Sequence, residues 1–280
     1  MTYFVLSDIH SFYNEMIEAL NKAGYDKNNK NHALILCGDL LDRGPDSVKC
    51  LEFINSIPTS NKVCIRGNHE DLLEDVFERG YFRHHDWHNK TDQTIYQLSN
   101  IYDNDEAAIE KCKSLQELRK YLDSCVDYFE TDKYIFVHGW IPCKRNDSSI
   151  YHTRSITRES IENWRIGDWQ AARWDCGFDA WNQNIIVPDK TIVCGHWHTS
   201  YGHSKYHHFG NEFEDSWVLV WNKLYKDAQI KNTACFDIFK DKGIIAIDGC
   251  TAHSHKVNVL KISKQKKLDF WRNLNEDNLS

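Results

Sequence analysis

The sequence predicts an α/β fold in which a parallel β-sheet is covered by helices. Short apolar runs alternate with stretches of helical periodicity over the first two-thirds of the chain. The order strand, helix, strand, helix, strand is typical of parallel sheets, because parallel strands need crossover connections. Hydrophobic residues form 41% and charged residues 27% of the 280 residues, which indicates a globular chain with a buried core.

The same patterns place the individual elements along the chain. Seven apolar runs are predicted to be strands: residues 3–6, 33–37, 62–65, 134–137, 191–194, 243–247 and 257–262. Helices are predicted for residues 11–23, 45–55 and 70–78 and for much of the segment 80–130. Ser11 is a candidate N-cap of the first helix, Gly24 a candidate end, and Pro45 suits the first turn of the second. Residues 114–117 fit a capping box.

The chain is predicted to form one domain over residues 1–280, with a helical insert at about 80–130, a Trp-rich insert at about 144–190 and an aromatic and His-rich insert at about 200–235. No run approaches the about 20 apolar residues of a membrane-spanning helix. Because the net charge is −7, a dedicated nucleic-acid binder is not expected. Ten cysteines without a CxxC pair, and no signal-peptide pattern, predict a cytoplasmic protein.

Side chains that bind metals follow five of the predicted strands. They are Asp8 and His10, then Asp39, Asn68, His138, and finally His196 and His198. Ligands of α/β sheets bind outside the carboxyl ends of the strands, so these side chains are expected to converge. Mixed Asp, His and Asn donors suit Mn²⁺, Fe or Zn²⁺ better than Ca²⁺. The pattern predicts a two-metal site bridged by Asp39, which polarises a phosphoryl oxygen and generates hydroxide from water.

Each of these residues also has an ordinary role when it is considered alone. Asp8 suits a turn or a helix cap, His138 suits a hydrogen-bonded core, and Asn68 suits a turn. Their joint occurrence at the strand ends favours metal binding.

The sequence blocks around these residues resemble those of the calcineurin-like metallophosphoesterases. The blocks are SDIH at 7–10, GDLLDRG at 38–44, IRGNHE at 65–70, VHG at 137–139 and GHWH at 195–198. They are most similar to the phosphoprotein phosphatase branch, which includes Ser/Thr protein phosphatases, the phage lambda-type phosphatase and symmetrical diadenosine tetraphosphatases. The stretch IAIDGC at 245–250 resembles a late strand of that branch.

The resemblance implies a metallophosphoesterase-type β-sandwich flanked by helices, with a dinuclear metal site at the carboxyl ends of the strands. One ion is expected on Asp8, His10 and Asp39, and the other on Asp39, Asn68, His138 and His196. His198 is a further expected ligand, because the second histidine of this block binds metal in the wider superfamily. Two divalent ions are therefore expected as cofactors, with Mn²⁺ foremost in vitro and Fe, Zn²⁺ or Mg²⁺ as alternatives.

The expected reaction is in-line attack on phosphorus by a metal-bridging hydroxide. His69 follows the ligand Asn68, and Asp42 is expected to hydrogen-bond its ring, which makes His69 a candidate general acid. A purely structural pair is the alternative. Arg43 and Arg66 are expected to bind the phosphate, with salt bridges as their alternative role.

A third phosphate-binding arginine is expected between the last two blocks. Arg154, Arg158, Arg165 and Arg173 qualify by position, and Arg173 is preferred. The nearby Trp164, Trp169, Trp174 and Trp181 suit either the core or a base-stacking wall, and the core is favoured. The long stretch between His196 and Asp248 either borders the mouth of the site or packs as a satellite. Ser11, where the family has Gly, either caps a helix or narrows the approach.

The leading functional hypothesis is a Ser/Thr-type protein phosphatase acting on phosphorylated proteins. Glu70 favours it, because tetraphosphatases tend to have Asp at that place in the block. The first alternative is a hydrolase of dinucleoside polyphosphates or another nucleotide, with the tryptophans stacking a base. The second is a catalytically silent metal-binding scaffold, against which the intact His69, Asp42 and arginine set argues. No membrane partner is expected, and the oligomeric state is not predicted.

Overall fold

The protein contains two five-stranded sheets, described here from a computed structural model that covers residues 1–146, 156–213 and 234–268. The first sheet is formed by β1 (Thr2–Leu6), β2 (His32–Cys37), β3 (Lys62–Ile65), β4 (Cys125–Val126) and β12 (Leu260–Ile262) in the order β12-β1-β2-β3-β4. The second contains β5 (Phe129–Glu130), β6 (Tyr134–Phe136), β9 (Thr191–Cys194), β10 (Phe239–Asp241) and β11 (Ile244–Ala246) in the order β10-β11-β9-β6-β5. The hairpin β7 (Cys143–Asn146) and β8 (Thr157–Ser160) stands apart.

Helices connect and cover these sheets. They are α1 (Tyr13–Ala23), α2 (Ser47–Ser56), α3 (Asn68–Arg79), α4 (His84–Asn89), α5 (Thr91–Ser99), α6 (Asp105–Lys113), α7 (Gln116–Ser124), α8 (Trp169–Ala172), α9 (Gly177–Asn182), α10 (Thr199–Tyr206) and α11 (Thr251–Ser254). Short 3-10 turns lie at Thr59–Asn61 and Trp164–Ile166. Within the described ranges, no helix combines the length and apolarity required to cross a bilayer.

Strands β1 to β4 run parallel, and so do β6, β9 and β11, while β12, β5 and β10 add antiparallel edges. The predicted α/β fold is therefore confirmed, and the parallel order β1-β2-β3 matches the predicted βαβαβ unit. The strand pattern alone predicts one parallel sheet, in which solvent or helices would cover each face of β1. Instead, the second sheet covers one of these faces.

The core explains why the strands read as continuous apolar runs. Tyr3, Val5 and Ile35 face the second sheet and pack with its Phe136 and Val193. The alternate positions of β1 and β2 face the helices and form a second cluster with them; these are Phe4, Leu6, Leu34 and Leu36. Both faces of the central strands are thus buried, which removes the polar alternation of a half-exposed strand.

Four local predictions need correction. Helix α2 begins at Ser47 with Asp46 at its N-cap, so Pro45 precedes the helix and is not in its first turn. Helix α1 begins at Tyr13 with Phe12 at its N-cap, so Ser11 is not the cap. Ser11 is buried and its hydroxyl lies 2.9 Å from that of Ser47. The expected capping box at 114–117 is also wrong, because α7 starts at Gln116 without a side-chain cap. Helix α3 begins at Asn68 rather than at residue 70, and Gly24 ends α1 as predicted.

The division into one domain with inserts stays a prediction. Segment 80–130 contains α4 to α7, as its helical pattern predicts. Residues 147–155 and 214–233, which belong to the other two predicted inserts, lie outside the described residues.

Candidate metal centre

Tight left-handed turns at the strand ends aim the predicted ligands at one place. Six predicted site residues have φ between 52° and 71°: Asp8, His10, Asp39, Asp42, Arg43 and His196. This conformation is uncommon for non-glycine residues and is concentrated at functional sites. Backbone hydrogen bonds join the loops after β1 and β2. The N–H of Asp8 donates to the backbone carbonyl of Gly38 (3.2 Å), and the N–H of His10 donates to the backbone carbonyl of Asp39 (3.0 Å).

Two groups of side chains share Asp39, and all of their members are buried except His196, which is partly exposed. In each group the potential ligand atoms lie within 4.8 Å of one another; the groups are His10, Asp39 and His69, and Asp39, His138 and His196. Asn68 adjoins the second group, because its Oδ1 is 2.8 Å from Nε2 of His138. Asp8 reaches the same place, since its carboxylate accepts the N–H of His196 at 3.0 Å. The two sheets therefore both contribute candidate ligands to one site.

Hydrogen bonds fix the histidines for metal binding. The Nδ1 of His138 donates to the carbonyl of Cys37 (2.8 Å), and that of His10 donates to Leu41 (3.1 Å). Each Nε2 is therefore left with its lone pair toward the shared Asp39. Burial lowers the pKa of His10 and His138 well below the usual value and that of His196 to about 3. These rings are thus neutral, as metal ligands must be.

The carboxylates are crowded and buried, which suits them to hold cations. The pKa of Asp8 is raised mainly by burial and secondly by the negative charge of Asp248. The pKa of Asp39 is raised mainly by burial and secondly by the negative charge of Asp8. Burial raises the pKa of Asp248 to about 6. Divalent cations offset this repulsion between buried carboxylates. The donor set, which combines carboxylate, imidazole and amide, fits two divalent metal ions.

Glu70 holds the ligand loops together, a role that sequence reasoning missed. Its buried carboxylate accepts the N–H groups of Gly67 (2.8 Å), Asp39 (3.0 Å) and Leu40 (3.1 Å). It also accepts the hydroxyl of Tyr121 at 2.9 Å. The available signal was its place in the first turn of α3, where a Glu commonly bonds back to the N-cap backbone. Because Glu70 is fully buried, it cannot touch a substrate directly.

Replacing Glu70 by Gln is expected to lower the free energy of unfolding of the metal-free protein by about 2–5 kcal/mol, because an amide NH₂ faces donors that then lack an acceptor. Metal affinity is expected to fall about 10–100-fold. Urea unfolding and metal titration measure both. Glu74→Gln on the same helix is the control, since Glu74 is partly exposed and should change stability little. Equal stability of Glu70→Gln and wild type would contradict this role.

The predicted His69–Asp42 pair is present. Nδ1 of His69 lies 2.7 Å from Oδ2 of Asp42, and the hydroxyl of Thr91 donates to the same oxygen at 2.7 Å. The Asp42 N–H donates to Thr94 at 2.9 Å. Burial lowers the pKa of His69, and Asp42 opposes that effect. The helical segment 80–130 thus supports the pair through α5, a contact that no local sequence pattern indicates.

The three candidate arginines occupy different surroundings. Arg43 is exposed, and its Nη2 lies 3.3 Å from Nε2 of His69. Arg66 pairs with Asp71 (3.3 Å) and Glu74 (2.5 Å). Arg173 pairs with the same Asp71 (2.8 Å) and with Asp127. The phosphate-binding roles of Arg43, Arg66 and Arg173 all stay predictions. The remaining positional candidates are Arg158, paired with Asp175, Arg165, paired with Glu130, and Arg154, which lies outside the described residues.

The site opens into a cleft of about 450 Å³, called the metal cleft. It is lined by Asp8, His10, Asp39, Arg43, Asn68, His69, Asn89, Trp174, His196, Trp197, His198, Glu212, Phe213, Asp248, Cys250 and His253. Nδ1 of His198 lies 2.8 Å from the Ser200 hydroxyl, and neither ligand group includes this ring. Its metal-binding role stays a prediction.

The predicted tryptophan set is divided between the core and the cleft. Trp164 and Trp169 are buried in the cluster behind the second sheet, and Trp181 packs against it. Trp174, in contrast, is 42% exposed and lines the metal cleft. In the described part of the stretch after His196, Tyr201 packs into the core behind the second sheet, whereas Phe213 lines the cleft.

Helix α10, which follows the last ligand block, is anchored by Asp179. This carboxylate accepts from Tyr201 (2.7 Å), Lys205 (2.9 Å) and Tyr206 (3.2 Å). Burial raises the pKa of Asp179, but the hydrogen bonds from Tyr201 and Lys205 outweigh it and hold the pKa below its usual value. Asp179 is thus a positioning residue for the segment after His198.

The change Asp179→Asn is expected to lower the free energy of unfolding by about 1–2 kcal/mol at pH 7. Because the folded pKa is depressed, the stabilisation is complete above the unfolded pKa of about 3.9 and is lost as the pH falls through the folded pKa. Denaturant unfolding at several pH values should show the difference between the two proteins shrinking on acidification. A difference that does not depend on pH would contradict the account.

Comparisons with known proteins agree with this geometry. Residues 1–257 match the family model described as calcineurin-like phosphoesterase. The chain is 34% identical over 106 residues to a symmetrical bis(5'-nucleosyl)-tetraphosphatase of Proteus mirabilis, which covers 38% of this chain and 36% of that protein. It is 35% identical over 73 residues to serine/threonine-protein phosphatase 1 of Salmonella typhimurium, covering 26% and 32%. The matched segments span about a third of the length of these curated relatives.

A solved structure supports the fold. A variant of a cold-active protein tyrosine phosphatase superposes with a TM-score of 0.52 at 15% identity, covering 93% of this chain and 74% of that chain. At this identity the likeness concerns the fold alone.

Proposed function

The chain belongs to the calcineurin-like phosphoesterase family and is a phosphoester hydrolase, and we propose that its substrate is a nucleoside polyphosphate. The observation that carries the catalytic part is the pair of candidate ligand groups that share Asp39 beside the metal cleft. Asp8, His10 and Asp39 would hold one ion, and Asp39, Asn68, His138 and His196 the other. When bound, the two ions polarise a phosphoryl oxygen and lower the pKa of bound water.

The chain's own residues supply proton transfer and orientation. Asp42 holds Nδ1 of His69, which leaves Nε2 on the cleft side beside Arg43. In its protonated form, His69 would donate the Nε2 proton to the leaving oxygen and become neutral, with the remaining proton on Nδ1 hydrogen-bonded to Asp42. Arg43 is exposed in the cleft, and its fork of N–H groups is suited to orient the phosphate.

The substrate class is supported by two lines of reasoning. The relative from Proteus mirabilis is named a bis(5'-nucleosyl)-tetraphosphatase. Glu70, which favoured a Ser/Thr protein phosphatase in the sequence, is buried and bonded to loop amides, so its identity carries no information on substrate contacts. A phosphoprotein remains the second candidate, because the Salmonella typhimurium relative is named a serine/threonine-protein phosphatase.

The test is a steady-state assay of protein reconstituted with Mn²⁺, with diadenosine tetraphosphate and a phosphothreonine peptide side by side and Asp39→Asn as the blank. We expect kcat/KM to favour the nucleotide by about 100-fold or more. The opposite ratio would establish the phosphoprotein candidate. Activity on neither substrate, with two ions bound, would overturn the proposed function.

A further inference from the structure

Two exposed tryptophans stand in the metal cleft. Trp174 is 42% exposed and Trp197 is 37% exposed, and both line the cleft together with the predicted metal ligands. Trp140, Trp164 and Trp169, in contrast, are buried in the core behind the second sheet. Because an aromatic side chain gains most from burial, two indoles left open beside a polar site indicate a surface that a ligand covers.

Both indoles approach the same ligand histidine. The ring of Trp174 is 6.0 Å from that of His196 with an interplanar angle of 83°, and the ring of Trp197 is 6.1 Å from it at 62°. Trp197 also lies 6.3 Å from the ring of His198 and nearly parallel to it, at 21°. The aromatic surface is therefore immediately next to the second ligand group, where a phosphate would be cleaved.

Short-range contacts hold these two positions. The backbone N–H of Trp174 donates to the carbonyl of Ala171 (3.1 Å), and the side chain of the preceding Arg173 forms an ion pair with Asp71. The backbone N–H of Trp197 donates to the carbonyl of Gly195 (2.8 Å). Its indole packs edge-on against the ring of Tyr201, with the ring centroids 5.8 Å apart. A surface ordered before binding loses little conformational entropy when a flat ring stacks on it.

We propose that Trp174 and Trp197 form an aromatic subsite that stacks the base of a nucleoside polyphosphate beside the phosphate-cleaving centre. This inference rests on the proposed function and adds the residues that recognise the base. The walls of the cleft also carry Glu212 and Asp248, which repel a polyanion, so recognition of the base supplies affinity that the wall charges do not. Stacking on aromatic side chains tolerates any base, because every base has a π-face.

The experiment compares two ligands on the metal-loaded protein by calorimetry. One is the non-hydrolysable adenosine 5'-(β,γ-methylene)triphosphate, and the other is tripolyphosphate, which lacks the base. Trp174→Ala and Trp197→Ala should each weaken nucleotide binding roughly fivefold to more than a hundredfold and tripolyphosphate binding by less than about twofold. Trp174→Phe and Trp197→Phe should keep most of the affinity.

Trp87→Ala is the matched control, since Trp87 is 47% exposed on α4 and does not line the metal cleft. Equal losses for both ligands, or no loss in the alanine variants, would overturn the subsite. Tighter tryptophan-dependent binding of a phosphotyrosine peptide than of the nucleotide would overturn the assignment to a base. If the wild-type protein hydrolyses no phosphoester but its nucleotide affinity still depends on both tryptophans, the proposed function fails and the subsite stands.

Discussion

Replacing His69 by Asn is expected to lower kcat by about 10²–10⁴-fold on a substrate with a poor leaving group, while the content of bound metal stays at the wild-type level. The side chain of Asn cannot deliver a proton to the leaving oxygen, but it preserves approximate size and polarity in a fully buried position. On a substrate with a good leaving group, such as an aryl phosphate, the loss should be much smaller. Rates on paired substrates and metal analysis measure the effect.

The neighbouring carboxylate supplies the matched control. Asp42→Asn removes the charge 2.7 Å from Nδ1 of His69 but keeps an acceptor for the hydroxyl of Thr91. It should lower kcat in the same direction and by less, since His69 itself remains. Loss of a metal ion in His69→Asn would assign His69 as a ligand, which its place in the first ligand group allows, and would contradict the role as proton donor.

The second large effect is expected for Asp39→Asn. Asp39 belongs to both ligand groups, so its loss should reduce the bound metal from two ions to one or fewer and lower kcat/KM by about 10³-fold or more. The pKa of Asp39 is raised mainly by burial and secondly by Asp8, which means that its negative charge destabilises the metal-free fold. The metal-free variant, which lacks this charge, should therefore be at least as stable as the metal-free wild type. Melting temperatures in chelator and in Mn²⁺, with metal analysis, test both statements.

Added Mn²⁺ should raise the melting temperature of the wild type, because an ion that binds the folded state stabilises it by mass action. Asp39→Asn should lose most of this increase. Asp46→Asn provides a control carboxylate on the neighbouring loop, since Asp46 pairs with Lys49 at the surface. A variant at Asp39 that keeps two tightly bound ions would contradict the bridging role.

The sequence was sufficient to predict the parts of the fold that depend on local pattern. Strand β3 has the predicted bounds, and the alternation of runs and helices predicts the β1-β2-β3 unit. The residues that follow these strands meet at one site because parallel strands place their carboxyl ends on one edge. Short motifs such as GDLLDRG contain both a turn sequence and a candidate metal ligand, so the motif alone indicates where the site lies.

Long-range contacts account for what the sequence did not reveal. Glu70 bonds to the N–H of Asp39, 31 residues away, and Thr91 bonds to Asp42, 49 residues away. Asp71 meets Arg173 across 102 residues. Such pairs depend on how the sheets and the helical segment pack, and residue types alone do not specify them. For the same reason, the exposure of Trp174 differs from that of Trp164 and Trp169, although all three lie in one Trp-rich stretch.

The most direct test of the account is a crystal structure of the protein reconstituted with Mn²⁺, with anomalous scattering recorded at the manganese edge. We predict two anomalous peaks at the floor of the metal cleft, with Asp39 contacting both. Asp8 and His10 should contact one ion, and Asn68, His138 and His196 the other. A single peak, or two peaks without a shared Asp39 carboxylate, would contradict the two-ion centre on which the proposed chemistry depends.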